Sequence, residues 1–387
     1  MTDLLIRNVG TIVSGDVAAP IAEGDTIVVR DGLIAFVGDV ATADTSDIST
    51  VIDAAGATVT PGLCDDHTHP VLGDYTPRQH QVGFIDSYLH GGTTTMISAG
   101  EPHTPGRPTD PAGVKALAIV AHASFANARP SGVKVHAGAV LLETGLTEDD
   151  FREMAAAGVE LVGEIGISGV KDSAVAALMA RWAQAQGMRV MVHTGGASIP
   201  GSGVIGAEFV IAVQPDVAGH VNGGPTALGL DEVERILDGT SARVEIVHNG
   251  NVKAAGEVAA LVARRDELHR LVIGTDSPAG SGAQPLGMLR ALSWVAALGG
   301  VDPATAVAAA SGNVAALHRL DTGLIAVGRE ADLLVIDAPL GSQADDALGA
   351  LAIGDTPAVA TAIIDGTPRF TRSRNTPSPV RPVSVSG

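Results

Sequence analysis

The segment Asp66-His67-Thr68-His69 sets two imidazoles two residues apart. In an extended chain alternate side chains point the same way, so His67 and His69 aim at one spot. One His-x-His is a weak signal, because such pairs arise by chance. Four further residues strengthen it: Glu164, His193, His220 and Asp276 each fall where an apolar run ends. Imidazole nitrogen and carboxylate oxygen suit Zn²⁺, Fe²⁺ or Mn²⁺, and such cations acidify water and polarise carbonyls. The chemistry in view is therefore metal-assisted hydrolysis. Taken singly, each histidine reads as an ordinary core or rim residue, and Glu164 and Asp276 as helix caps, Asp276-Ser277-Pro278 especially. Taken together, that reading must explain why histidines and acids stop these strands while the strands themselves are apolar. The metal reading explains it at once.

Such residues converge only if a fold gathers them. From Thr58 onward, apolar strand-like runs alternate with Ala-rich helical stretches, the pattern of βα units. Eight strands are expected: 58–60 running into Leu63, 93–98, 133–139, 159–163, 189–192, 216–219, 243–247 and 271–274. Helices are expected at 149–157, 172–186, 231–237 and 254–264. Eight units over about 250 residues match a TIM-like (β/α)8 barrel, whose C-terminal strand ends share one face and carry the active site. His67, His69, Glu164, His193, His220 and Asp276 would all reach that face.

Before Thr58 the texture is antiparallel: Thr26–Arg30 meets Leu33–Val37 across the hairpin dipeptide Asp31-Gly32. Strand texture returns at Leu333–Asp337 and Ala360–Asp365. The expected organisation is α/β: a barrel over 58–320, with a small β-sandwich domain built from residues 1–57 and 321–387. The stretch from Thr371 is rich in Pro, Ser and Arg and reads as an extended or frayed tail.

Bulk composition excludes other classes. The formal charge of −19 would repel nucleic acid and anionic membrane, so neither is expected as a partner. Cys64 is the single cysteine, which allows no intrachain disulfide and no thiolate zinc site. No signal peptide or membrane span is expected, and the chain reads as a cytoplasmic protein. Aromatics make up only 3% of residues, so Ala, Val, Ile and Leu must build the core.

The motif Thr60-Pro61-Gly62-Leu63 before Asp66-His67-Thr68-His69, together with 323–337, resembles the amidohydrolase superfamily. Segments 73–79, 89–100, 193–201, 220–226 and 373–377 are similar to its enamidase branch. That resemblance implies hydrolysis of a cyclic amide, an enamide lactam such as 6-oxo-1,4,5,6-tetrahydronicotinate giving 2-formylglutarate and ammonia. It also implies two divalent metal ions, Zn and/or Fe, and a homotetramer. Many superfamily members bridge their metals with a carboxylated lysine on strand four. Here Glu164 stands at that strand's end, and Lys134 and Lys171 are its rivals for the bridge.

The expected assignment puts His67 and His69 on one metal, His193 and His220 on the other, Glu164 between them and Asp276 at the first. Asp276 is the expected proton shuttle. A carboxylated substrate calls for a cation, and Arg78, Arg107 and Lys115 are the candidates, Lys115 reading rather as a solvated surface charge, with Tyr75, His103 and His248 as further substrate contacts. Arg78 and Arg107 could equally be solvated surface charges, and His248 could support a ligand from behind. His80, His90, His122, His136, His269 and His318 read as structural or surface residues, and Cys64 as a buried apolar one. Two enzymatic rivals remain. A mononuclear deaminase needs a glutamate where Gly196 stands, and an imidase needs a lysine where Glu164 stands. A metal-free assembly protein is the rival of another class; it would have shed ligands that this chain retains.

Overall fold

The computed structural model describes residues 3–102, 104–167, 169–196, 203–223, 226–279 and 282–387. Two groups of parallel strands make the centre. Leu63–Thr68, Thr93–Ser98 and Lys134–His136 form one sheet, and Leu161–Ile165, Arg189–His193, Val217–Gly219, Arg243–Val247 and Leu271–Gly274 form the other. Single bridges join them: Val140 to Val162 between strands three and four, and Thr68 to Ser277 beside strands one and eight. The eight strands thus follow one another in ring order. Most of their residues are buried on both faces, which explains why they read as apolar runs without alternation.

Helices cover the ring, and their starts are chemically marked. Asp110, Asp172, Asn251 and Asp302 each accept a backbone N–H in the first turn that follows, and Pro111 and Pro303 open two of these helices. The buried faces of these helices pack on the strands in one continuous core. Tight approach at the strand ends requires glycine. A Cβ on Gly163 would stand 2.4 Å from the Ala99 carbonyl oxygen, and one on Gly274 would stand 2.6 Å from the His67 Cβ. Both glycines sit within two residues of a candidate ligand, Glu164 or Asp276.

The chain ends build two more sheets. One runs Ser384–Ser386, Thr50–Asp53, Leu4–Arg7, Thr26–Arg30 and Leu33–Gly38. The other runs Thr367–Pro368, Ala358–Ile364, Leu333–Asp337, Thr58–Pro61, Thr11–Val13 and Ile21–Ala22. A separate apolar cluster that includes Leu4, Ile27, Ile52, Val59, Leu333 and Val335 fills the space between them. Thr58–Pro61, expected to lead the barrel, belongs here instead, pairing with Leu333–Ile336 and Thr11–Ile12. Gly62 marks the change of sheet, because a side chain there would collide with Thr94.

The segment from Thr371 is extended but docked. Ser373 Oγ donates to the His90 carbonyl at 2.7 Å, Asn375 donates to the Ser87 carbonyl at 2.7 Å, and Ser384–Ser386 adds a strand beside Thr50–Asp53. Its polar side chains find backbone partners, which hold the extended segment in place. Among the described residues no helix is long and apolar enough to cross a membrane.

Candidate metal centre

Strand one carries His67 next to its last residue and delivers His69 just beyond its end, while strands four, five and six bring Glu164, His193 and His220. Asp276 follows strand eight, and its N–H bonds the His67 carbonyl at 2.9 Å. All six side chains meet. Glu164 lies at the centre: its Oε1 is 2.9 Å from His193 Nδ1 and 2.8 Å from His220 Nε2. Its Oε2 faces the other pair, 3.6 Å from His67 Nε2 and 3.9 Å from His69 Nε2. One carboxylate therefore spans two pairs of imidazoles, one oxygen to each. Asp276 Oδ1 stands 3.1 Å from His69 Nε2 and 3.7 Å from His67 Nε2. The rivals for the bridge lie elsewhere. Lys134 is at the start of strand three, 2.6 Å from Asp332 and 2.7 Å from Glu330, and Lys171 is exposed.

Charge at this site is unbalanced in a way that favours a cation. Burial alone would raise Glu164, yet His67, His193 and His220 hold its carboxyl well below the usual range. Burial alone would lower His67, yet Glu245 and Glu164 hold its imidazole well above the usual range. His220 is likewise raised by Glu164 against its burial, and Asp276 is lowered by His69 and His67 against its own. Three ring nitrogens, His67 Nε2, His193 Nε2 and His220 Nδ1, are buried without a hydrogen-bond partner. Two sets, His67/Glu164/His220 and His67/His69/Asp276, each offer ligand atoms within 4.8 Å of one another. Orphaned imidazole nitrogens beside ionised carboxylates are the donor set that divalent cations bind. These residues fit the group.

The supporting residues were largely invisible in the sequence. Glu245 sits mid-strand seven, fully buried, with its Oε2 2.8 Å from His67 Nδ1. Asp65 accepts the Thr275 N–H at 2.8 Å and its hydroxyl at 2.7 Å, tying strand one to strand eight; burial pushes its carboxyl up to about 7. Asn249 donates to Asp276 Oδ2 at 3.4 Å. His318, expected to be structural or surface, has a largely buried side chain with Nε2 2.5 Å from Asp66 Oδ1. The signal that could have exposed Glu245 is an acid flanked by apolar residues within Arg243-Val244-Glu245-Ile246-Val247. His220 and Asp276 both adopt left-handed backbone, with φ of 33° and 53°. Such conformations cost about 1–3 kcal/mol each and collect at functional sites.

The expected substrate contacts divide. Tyr75 and Arg78 belong to a small hairpin, Tyr75–Thr76 with Gln81–Val82, and both are exposed. Gln79 at its tip hydrogen-bonds the Ala279 carbonyl, three residues past Asp276, so the hairpin leans over the centre's rim. Arg107 pairs with Glu143 at 2.9 Å, both about nine-tenths buried. The His248 ring stacks on Trp294 at 5.1 Å, and burial beside Arg290 pushes it down to about 4. His103 lies outside the described residues. Cys64 is buried, and desolvation pushes its thiol up to about 12, which suits an inert core residue. A cavity of about 720 Å³ opens at the opposite end of the barrel, lined by His122, His136 and Arg319 among others. No set of metal-ligating atoms converges there among the described residues.

Residues 58–369 match the amidohydrolase family. The chain belongs to that family. Among its relatives, enamidase of Eubacterium barkeri is 52% identical over 385 residues, covering 100% of both chains. The crystal structure of enamidase superposes with a TM-score of 0.96 over 99% of this chain and 100% of that one. Adenine deaminase of Ruegeria sp. (strain TM1040) is 27% identical over 81% of this chain, which spans about half (51%) of that relative's length. Family membership agrees with the eight parallel strands and their convergent histidines and acids, and it accounts for the α/β class read from the sequence.

Proposed function

We propose that this amidohydrolase is an enamidase, hydrolysing the C–N bond of a six-membered cyclic enamide. The observation that carries it is Glu164 facing His193 and His220 with one oxygen and His67 and His69 with the other, in a chain 52% identical to enamidase throughout. We assign His67, His69 and Asp276 to one divalent cation and His193 and His220 to a second, with Glu164 shared. Zn and Fe both suit these nitrogen and oxygen donors.

When bound, such cations acidify a water and polarise the scissile carbonyl. Asp276 is the most solvent-facing acid of the cluster, 14% exposed against 2% for Glu164, so it is the group that meets substrate. It takes the proton of the attacking water and returns it to the departing ring nitrogen. Asn249 and His69 hold its two oxygens for that transfer. Ring opening releases an enamine and a carboxylate. The enamine tautomerises to an imine, which adds water and loses ammonia to leave an aldehyde. For 6-oxo-1,4,5,6-tetrahydronicotinate the product is 2-formylglutarate. Arg78 on the rim hairpin is the cation we assign to the ring carboxylate. Gly196, where a deaminase would carry its glutamate, weighs against the deaminase alternative. A single reduced cysteine fits a cytoplasmic enzyme, and the enamidase likeness supports a homotetramer.

The test is a screen of six-membered lactams, with and without the ring double bond and carboxylate, on metal-reconstituted protein. Ammonia and aldehyde released from the unsaturated lactams are the expected result. Ammonia from adenine and none from any lactam would defeat the proposal.

A further inference from the structure

We propose that Glu245 is a positioning residue, one of whose carboxylate oxygens sets both halves of the metal centre together. The proposal rests on the metal reading above. Glu245 is fully buried in the middle of strand seven, between Val244 and Ile246. A carboxylate held in such a place must find strong donors, and it finds two on the same atom. Oε2 accepts from His67 Nδ1 at 2.8 Å and from the His220 backbone N–H at 2.8 Å.

Each bond does something different. The first fixes the His67 tautomer, leaving Nε2 bare on the side of Glu164 and Asp276. His67 is the residue common to both ligand sets, so its ring angle affects both. The second bond anchors His220 at its left-handed φ of 33°, the conformation from which its ring reaches Glu164. Behind Glu245 stands Asp66, itself bonded to His318 at 2.5 Å, so this support runs back into the buried strand layer. Outer partners of this kind orient ligands as much as the ligands orient the metal.

If geometry is the role, reach matters and charge does not. Glu245→Gln keeps a carbonyl oxygen in the same place and loses the charge. Glu245→Asp keeps the charge and withdraws the oxygen by one methylene, and Glu245→Ala removes both. Metal affinity of each purified protein is measured by competition with a chelator, with metal content by mass spectrometry and the visible spectrum of the Co(II)-substituted form. Glu245→Gln is expected within about threefold of wild type, while Glu245→Asp and Glu245→Ala weaken binding about 10- to 100-fold, as for lost second partners of metal ligands. The Co(II) spectrum of Glu245→Gln should match wild type, and thermal unfolding of the metal-free forms checks that each variant folds. Wild-type affinity in Glu245→Asp, or a Glu245→Gln as weak as Glu245→Ala, overturns the proposal. A wild-type protein that takes up no divalent metal would instead defeat the metal reading itself.

Discussion

His69 Nε2 and Asp276 Oδ1 lie 3.1 Å apart although 207 positions separate them in the chain. The contact exists because strands one and eight are neighbours in the ring, joined by the Asp276 N–H to the His67 carbonyl. It gives Asp276 a fixed direction while leaving one side of it open to the mouth. Asp276→Asn keeps the size and one accepting oxygen but cannot carry the proton. Turnover, followed by ammonia release, is expected to fall about 10²- to 10⁴-fold with the circular dichroism spectrum unchanged. Wild-type turnover in this variant would remove Asp276 from the chemistry.

Glu164 should be the residue on which metal retention depends most. It faces four imidazoles, and removing it takes away the one carboxylate that reaches both pairs. Glu164→Ala is expected to be purified with little divalent metal and to show no measurable turnover. Chelation of the wild-type protein should abolish activity and lower the melting temperature, and added Zn²⁺ or Fe²⁺ should restore both. A metal present at a thousandfold over its Kd adds about 4 kcal/mol to stability, so calorimetry will register its loss.

Arg78 and Arg107 should separate cleanly. Arg78 is exposed on the rim hairpin, so Arg78→Ala is expected to raise KM for lactams bearing a ring carboxylate and leave kcat nearly unchanged. A charged hydrogen bond of about 1.5–3 kcal/mol corresponds to roughly 10- to 150-fold. Lactams without the carboxylate should show no change. Arg107 is paired inside the protein, and Arg107→Ala strands Glu143 in a buried place. Breaking such a pair costs about 3–5 kcal/mol, which denaturant titration will measure. A KM effect in Arg107→Ala at unchanged stability would contradict the division.

Glu101 predicts a dependence of stability on pH. Both its carboxylate oxygens are buried without a hydrogen-bond partner, and desolvation raises its carboxyl well above its ordinary 4.5. The folded chain therefore holds a proton that the unfolded chain releases. Its contribution is complete below pH 4.5 and is lost as pH rises toward the raised folded value. Glu101→Gln supplies a permanently neutral side chain of the same shape. It should melt higher than wild type at pH 8, and the difference should shrink as pH falls toward 4.5. An equal difference at both ends would show that Glu101 does not titrate as its burial requires.

Much of this protein follows from spacing alone. The eight strand ends were legible because buried parallel strands are apolar throughout, so a histidine or acid closing one stands out. That contrast singled out His67, His69, Glu164, His193, His220 and Asp276, whose side chains the fold brings together. Glu245 escaped because it interrupts a strand instead of ending it, and Asp65 because it stands beside the louder histidine motif. Thr58–Pro61 was assigned to the wrong sheet because strand texture says nothing about which neighbour a strand pairs with.

By itself the sequence determined which side chains could hold cations and where each strand would present them, since residue type and the period of the backbone are local properties. Tertiary structure decided the rest. It chose which oxygen of Glu164 faces which histidines, it placed Asn249 against Asp276 and turned the His248 ring onto Trp294, and it committed Arg107 to Glu143. Those choices depend on ring closure and side-chain packing between segments far apart in the chain, and no local pattern records the distance between two such residues.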